Sequence, residues 1–271
     1  MGRLSVVCVM LMAAVVAGCG PARSKDAAWH LSPEQCLAIG RAAAPEVERT
    51  FGPALNQPAV QAYVRTIGER VARCTPLHQL PYQFMVLNGD TLHAFAAPGG
   101  PVYVTRGLLE HLENEGQLAA VLAHQLAHIN ARQVGGELLQ RLGMNVLLEA
   151  VAAADRTSGE PATPRCGESL GRAAGTLIVL QYSVTLEREA DRLGLDYLVA
   201  AGYNPDSMAR FLDILETMAG PAVPEFLRVH PSPPDRVANL RSMIERKYPD
   251  GGGRVAREEY QREVLDRLKT R

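Results

Sequence analysis

Two histidines and two carboxylates have the types and spacing to do chemistry in this chain. His124 and His128 stand at i and i+4, so on a helix both imidazoles leave one face and can reach a single metal ion. Glu187 and Asp191 repeat that spacing further on, which lets one carboxylate ligate while the other orients a ligand histidine. Two histidines, one carboxylate and an open fourth position make a zinc site of the catalytic kind. An isolated H-x-x-x-H carries little weight in a chain with 7 histidines; the second pair supplies it. Gln125 is a defect in the pattern. In H-E-x-x-H the residue after the first histidine is a glutamate that takes a proton from water, and an amide can hydrogen-bond there but cannot serve as a carboxylate base. Glu189 falls on a different helix face and is expected to be a solvated charge.

These groups need rigid elements behind them. Asn114 and Gln117 make a capping-box-like entry to the histidine helix, with Leu118, Val121, Leu122 and Leu126 as its buried surface. A long helix carries Glu187 and Asp191 and ends at Ala201-Gly202-Tyr203-Asn204-Pro205. Further helices are expected from Ser32-Pro33-Glu34-Gln35, over Pro58 to Cys74, and over Leu138 to Ala154. Strands are expected at Tyr82 to Leu87 and Val102 to Thr105, with turns at Asn88-Gly89-Asp90 and Pro98-Gly99-Gly100. Pro101 lacks an amide, which argues for an edge strand where a peptide could pair. The 156–167 stretch reads as a loop or flap, a proline-rich segment encloses His230, and a charged helix from Arg254 onward is expected to fray.

Five blocks then occur in order: Ala94-Phe95-Ala96-Ala97-Pro98-Gly99-Gly100, Val102-Tyr103-Val104-Thr105-Arg106-Gly107-Leu108-Leu109, the histidine helix, Glu187-Arg188-Glu189-Ala190-Asp191-Arg192-Leu193-Gly194, and His230-Pro231. On these blocks the chain resembles the zinc metallopeptidases of family forty-eight, the HtpX and Ste-type proteases, in their bacterial lipoprotein branch. The resemblance runs over roughly residues 32 to 245. It implies an α+β, predominantly helical, zincin-like fold with a small sheet and an edge strand beside the zinc helix. It also implies Zn2+ held by His124, His128 and Glu187, with Asp191 behind them. His230 would be a mobile histidine that closes the metal's open position or stabilises the oxyanion, with Arg236 beside it, and Val102, Tyr103, Val104 and Thr105 would pair with substrate backbone. The chain departs from the family at Gln125, at His93 where asparagine is usual, and at Gln133 where another histidine is usual.

The whole chain sets the context. With 271 residues and 47% apolar content it can build one large core, and 28 basic against 29 acidic residues give no electrostatic reason to expect nucleic acid. Arg3 precedes an apolar run from Leu4 to Ala17, about 14 residues and short of the ~20 that span a bilayer, which ends in the lipobox-like Val16-Ala17-Gly18-Cys19. The expected organisation is a signal peptide over 1–18, a lipidated Cys19 and tether over 19–31, the peptidase domain over 32–250 and a charged helix over 251–271. Export to the cell envelope, at the periplasmic face of the outer membrane, would permit one disulfide among Cys36, Cys74 and Cys166. The function implied is a zinc metalloendopeptidase-like lipoprotein acting on or holding unfolded or misassembled envelope polypeptides, with turnover impaired by Gln125. The alternative is an inactive relative that binds peptides or partner proteins through the zinc cleft and edge strand.

Overall fold

The computed structural model describes residues 31–154, 164–218 and 223–270. The expected signal peptide, Cys19 and the tether through residue 30 lie outside them, as does much of the expected 156–167 loop. In chain order the elements are α1 (Pro33–Ala42), α2 (Ala44–Phe51), α3 (Pro58–Ala72), β1 (Gln83–Leu87), β2 (Ala94–Ala96), β3 (Pro101–Thr105), α4 (Arg106–His111) and α5 (Glu115–Asn130). Then follow α6 (Gln133–Leu142), α7 (Met144–Ala154), α8 (Pro164–Ile178), α9 (Val184–Ala200), α10 (Asp206–Thr217), α11 (Glu225–Val229) and α12 (Arg236–Lys247). The C-terminal segment adds α13 (Arg257–Tyr260), a π-helical turn over Gln261–Leu265 and α14 (Asp266–Lys269).

The fold is predominantly helical, and α5 is its axis. Every α5 residue from Glu115 to Ile129 is buried, as a helix apolar on all sides requires. It packs against α9, α3 and α10 and against β2. Asn114 starts it by accepting from the Gln117 amide at 3.0 Å, while the Gln117 side chain reaches back to the Glu113 amide at 2.6 Å. Ser32 and Gln35 form the expected reciprocal capping box at α1. The helix expected over Leu138 to Ala154 is two helices, because Gly143 at φ 79° breaks it.

The sheet has the order β1-β3-β2, with β1 parallel and β2 antiparallel to β3. This corrects the expectation that Val102, Tyr103, Val104 and Thr105 form an edge open to substrate. They lie in the central strand, every residue of which is buried, and their backbone is paired on both sides. Pro101 is tolerated for another reason: it is the first residue of the strand, where no ladder donor is needed. The edge strand beside the zinc helix is β2. Its ladder bonds to β3 run through His93 (carbonyl to Thr105 amide, 3.0 Å) and Ala97 (amide to Pro101 carbonyl, 2.8 Å). The alternation of an antiparallel pair therefore turns the backbone groups of Ala94 and Ala96 away from β3. The Pro98-Gly99-Gly100 turn joining the two strands presses on α1. Gly99 sits at φ 82°, and a Cβ there would lie 2.3 Å from the Leu37 backbone nitrogen.

The C-terminal segment does not behave as its charge suggests. Tyr260, Val264 and Leu268 recur every fourth residue, are buried in the core, and anchor the segment with a 2.7 Å bond from the Tyr260 hydroxyl to the Leu109 carbonyl. Arg254 adds a two-pronged ion pair to the buried Glu115 at 2.6 and 3.0 Å. No disulfide joins any two of Cys36, Cys74 and Cys166. Among the described residues no helix is long and apolar enough to cross a membrane.

Candidate metal centre

Four side chains from three elements converge on one buried point. α5 contributes His124 and His128, α9 contributes Glu187, and the residue that ends α11 contributes His230. The crossing of α5 and α9 is close because Gly194 faces His124, where a Cβ would lie 3.1 Å from its backbone nitrogen and Cα. The Nε2 atoms of His124 and His128 are 3.1 Å apart, and each is 3.3 Å from Nδ1 of His230. Glu187 closes the figure, with Oε1 2.9 Å from His230 Nδ1 and 3.5 Å from His128 Nε2, and Oε2 3.4 Å from His124 Nε2. Zinc bound tetrahedrally at 2.0–2.1 Å has ligand atoms about 3.3 Å apart. The three histidine nitrogens lie close to that spacing and Glu187 approaches each of them through one or other carboxylate oxygen, so the cluster can coordinate a zinc ion. The Gln125 Oε1 atom is buried without a hydrogen-bond partner, and Glu187 Oε2, which accepts no aligned hydrogen bond, lies 2.8 Å from the Arg236 guanidinium. A further consequence is that the fourth position, open by sequence, is filled by His230.

A second layer orients these groups. The His124 Nδ1 lies 3.1 Å from Asp191 Oδ1, so the ring donates there and keeps its Nε2 lone pair for the cluster. Asp191 in turn accepts two 2.8 Å bonds from Arg236, whose Nη2 is also 2.8 Å from Glu187 Oε2. The Nη1 of Arg236 donates to the backbone carbonyls of His230 and Pro231 at 3.3 and 3.0 Å, so one buried guanidinium ties α9 to the His230 segment. Phe226 stacks on His230 with ring centroids 4.4 Å apart, and Tyr182 stacks on His128 at 3.9 Å.

Burial and charge pull the titrations apart. Burial pushes His230 down to about 4 and lowers His128, so both are neutral imidazoles suited to a metal. Burial opposes the charged form of His124 too, but its bonds to Asp191 and Glu187 outweigh that and raise it. For Glu187, burial is outweighed by His230 and Arg236, which hold the carboxyl well below its usual range; for Asp191, burial is outweighed by Arg236, which holds it at about 2.

Position 125 points into the same cluster: the Gln125 side-chain nitrogen is 3.2 Å from Nε2 of His230. His93 is fully buried among aromatic rings, 5.0 Å from Phe51 and 5.1 Å from Phe95, and burial holds it near 3 and neutral. Sequence reasoning missed Tyr182 and Phe226, for which no spacing signal exists. Spacing also gave no sign that Gln133 and Glu189 would meet. The Gln133 Oε1 lies 2.6 Å from Nδ1 of His128, and its amide nitrogen donates at 2.8 Å to Glu189, which is exposed as expected of a solvated charge and yet bonds to the layer behind the cluster.

A two-histidine helix crossed by a Glu-x-x-x-Asp helix over a short sheet is the architecture of a zinc peptidase, and the sequence comparisons agree. Residues 58–244 match the model of peptidase family M48, and the chain belongs to that family. Gln125 occupies the place of the family's catalytic glutamate. The chain is 31% identical over 206 residues to the Beta-barrel assembly-enhancing protease of Escherichia coli O157:H7, covering 74% of this chain and 42% of that protein. It is 29% identical over 205 residues, with the same coverage, to the protein of that name from Yersinia pestis. It is 27% identical over 161 residues to the Mitochondrial metalloendopeptidase OMA1 of Arabidopsis thaliana, covering 59% of this chain and 31% of that protein. The chain thus spans about two fifths of the length of the bacterial relatives it matches.

Proposed function

We propose that this chain is a zinc-binding envelope lipoprotein that engages unfolded or misassembled polypeptides and cleaves them slowly. His124, His128 and Glu187 hold the metal, Asp191 orients His124, Arg236 fixes both Asp191 and the His230 segment, and Cys19 carries the lipid anchor at the periplasmic face of the outer membrane. The relatives' printed names concern β-barrel assembly, and unfolded β-barrel polypeptides are accordingly the first substrates to test.

The observation that carries this reading is the pair Gln125 and His230. Zinc, when bound, supplies a Lewis acid that can bring the pKa of water to about 7. Gln125 cannot take up the proton, and loss of a positioned general base typically forfeits ~10²- to 10⁴-fold in rate. His230 meanwhile occupies the fourth corner. Rotation of the Gln125 amide sets its otherwise unpartnered Oε1 against Nε2–H of His230, the tautomer that leaves Nδ1 free for a metal. Gln125 is thus a good partner for a closed site and a poor one for an open, hydrolytic site. The outer edge of β2, at Ala94 and Ala96, is the unpaired edge of the sheet but is itself buried, so it receives substrate backbone, in place of the Val102 to Thr105 strand, only when the groups that cover it move.

The same pair favours a second reading, in which the domain binds polypeptides without any turnover. Both are tested by measuring zinc content and cleavage of an unfolded β-barrel protein for the wild type and Gln125→Glu at equal zinc occupancy. Slow, chelator-sensitive cleavage that rises at least ~10²-fold in Gln125→Glu supports the first reading. Tight binding with no product from the wild type selects the second. Fast cleavage by the wild type overturns both.

A further inference from the structure

We infer that Gln133 and Glu189 form a positioning relay that fixes the ring of His128 for zinc, doing through an amide what Asp191 does directly for His124; the inference rests on the metal reading above. The geometry is specific at each step. The Gln133 side-chain nitrogen has two acceptors on α9, the Glu189 carboxylate at 2.8 Å and the Leu186 carbonyl at 3.5 Å. Those acceptors decide which end of the amide faces which way, and they leave Oε1 pointing at His128 Nδ1, 2.6 Å away. An acceptor there requires Nδ1 to carry the proton, so the lone pair of the neutral ring sits on Nε2, the atom that faces His124, Glu187 and His230. Ligand histidines characteristically donate their other N–H in this way, and the partner both fixes the ring and raises its basicity. His128 is wholly buried, so no water can substitute for that acceptor.

The backbone points the same way. The chain leaves α5 and enters α6 through Arg132, a non-glycine residue held in the left-handed region at φ 57°. Such a conformation is strained for a residue with a Cβ and persists only where the surroundings demand it. Here it turns Gln133, the first residue of α6, back beneath His128 five positions earlier. Glu189 owes its place to the other helix: it lies between Glu187 and Asp191, yet serves the partner histidine from the far side.

The test is a zinc titration of the full-length chain in detergent against a competing chelator, with the absorption spectrum of the cobalt-substituted protein as the second readout. Gln133→Leu is expected to weaken zinc ~10- to 100-fold and to shift the cobalt bands, while circular dichroism of the metal-free protein stays unchanged. Glu189→Leu is expected to weaken zinc only when Gln133 is present, because it acts through that amide. The exchange Gln133→Glu with Glu189→Gln reverses donor and acceptor along the same path and should restore both affinity and spectrum. The relay is wrong if Gln133→Leu binds zinc like the wild type, if Glu189→Leu weakens it equally in the Gln133→Leu background, or if the exchange fails to rescue. A wild-type chain that takes up no zinc overturns the metal site itself and the relay with it.

Discussion

Arg236→Met removes the one arginine that is buried among the described residues, at nearly constant side-chain length. Asp191 loses two 2.8 Å bonds, Glu187 loses one, and the carbonyls of His230 and Pro231 lose their donor. Arg236 and Asp191 are 2% and 4% exposed, so solvent screening does little to soften the loss. Two routes give the magnitude. Breaking a buried ion pair by removing one partner costs ~3–5 kcal/mol. The Asp191 carboxyl is held at about 2 against an ordinary 3.8. At about 1.4 kcal/mol per unit that shift alone is worth ~2–3 kcal/mol. The expected loss is therefore ~3–5 kcal/mol, read by urea unfolding of the metal-free chain at pH 7. In the wild type the depressed Asp191 contributes fully above pH ~4 and is lost only as pH falls toward 2, so its contribution is flat from pH 7 to 5. In the variant the same carboxylate keeps only its 3.1 Å contact with His124, and burial, no longer outweighed by Arg236, pushes its pKa up. That penalty is greatest at neutral pH and is relieved as protons bind, so the gap between the two proteins must narrow as pH falls from 7 to 5. Arg236→Lys, which keeps the charge but loses the fork, belongs between them. A gap under ~1 kcal/mol, or one that does not change with pH, would refute the account of Arg236 as the clamp of the centre.

Two further outcomes are expected. Gly194→Ala places a methyl 3.1 Å from the His124 backbone at the α5–α9 crossing, and should lower stability by ~1–3 kcal/mol and weaken zinc, both seen in thermal melts run with and without the metal. Cys19→Ser should abolish incorporation of a labelled fatty acid; equal labelling of both proteins would remove the lipid anchor from the proposal.

What was legible in the sequence was whatever depends on helical spacing. His124 with His128, Glu187 with Asp191, the Asn114 cap and the apolar Leu118, Val121, Leu122 and Leu126 are all local patterns, and α5 and α9 form as those patterns require. What depends on pairing was not. Pro101 is as well suited to the first position of a central strand as to an edge, and nothing local distinguishes the two. Charge misled in the same way at the C-terminus, where Tyr260, Val264 and Leu268 form an apolar stripe among the arginines and glutamates of that segment. Glu189 is exposed as its helical facing implies, but facing says where a carboxylate starts, and not which long side chain from another helix will reach it.

Charge counting bears on why glutamine is stable at position 125. Without metal the buried centre holds Glu187 and Asp191 against Arg236, an excess of one negative charge, and the raised His124 is the group able to bind the balancing proton. A glutamate at 125 would be fully buried in the same cluster and would double that excess, with no second arginine or lysine buried among the described residues. A dication changes the balance: it offsets the carboxylates and displaces the proton, so a glutamate becomes tolerable only when the metal is bound. The native glutamine thus makes the metal-free fold less costly, and it also removes the base that hydrolysis needs. The gain in cleavage expected of Gln125→Glu is therefore coupled to a stronger dependence of its folding on zinc, and only a comparison at equal metal occupancy separates the chemistry of the carboxylate from its effect on the fold.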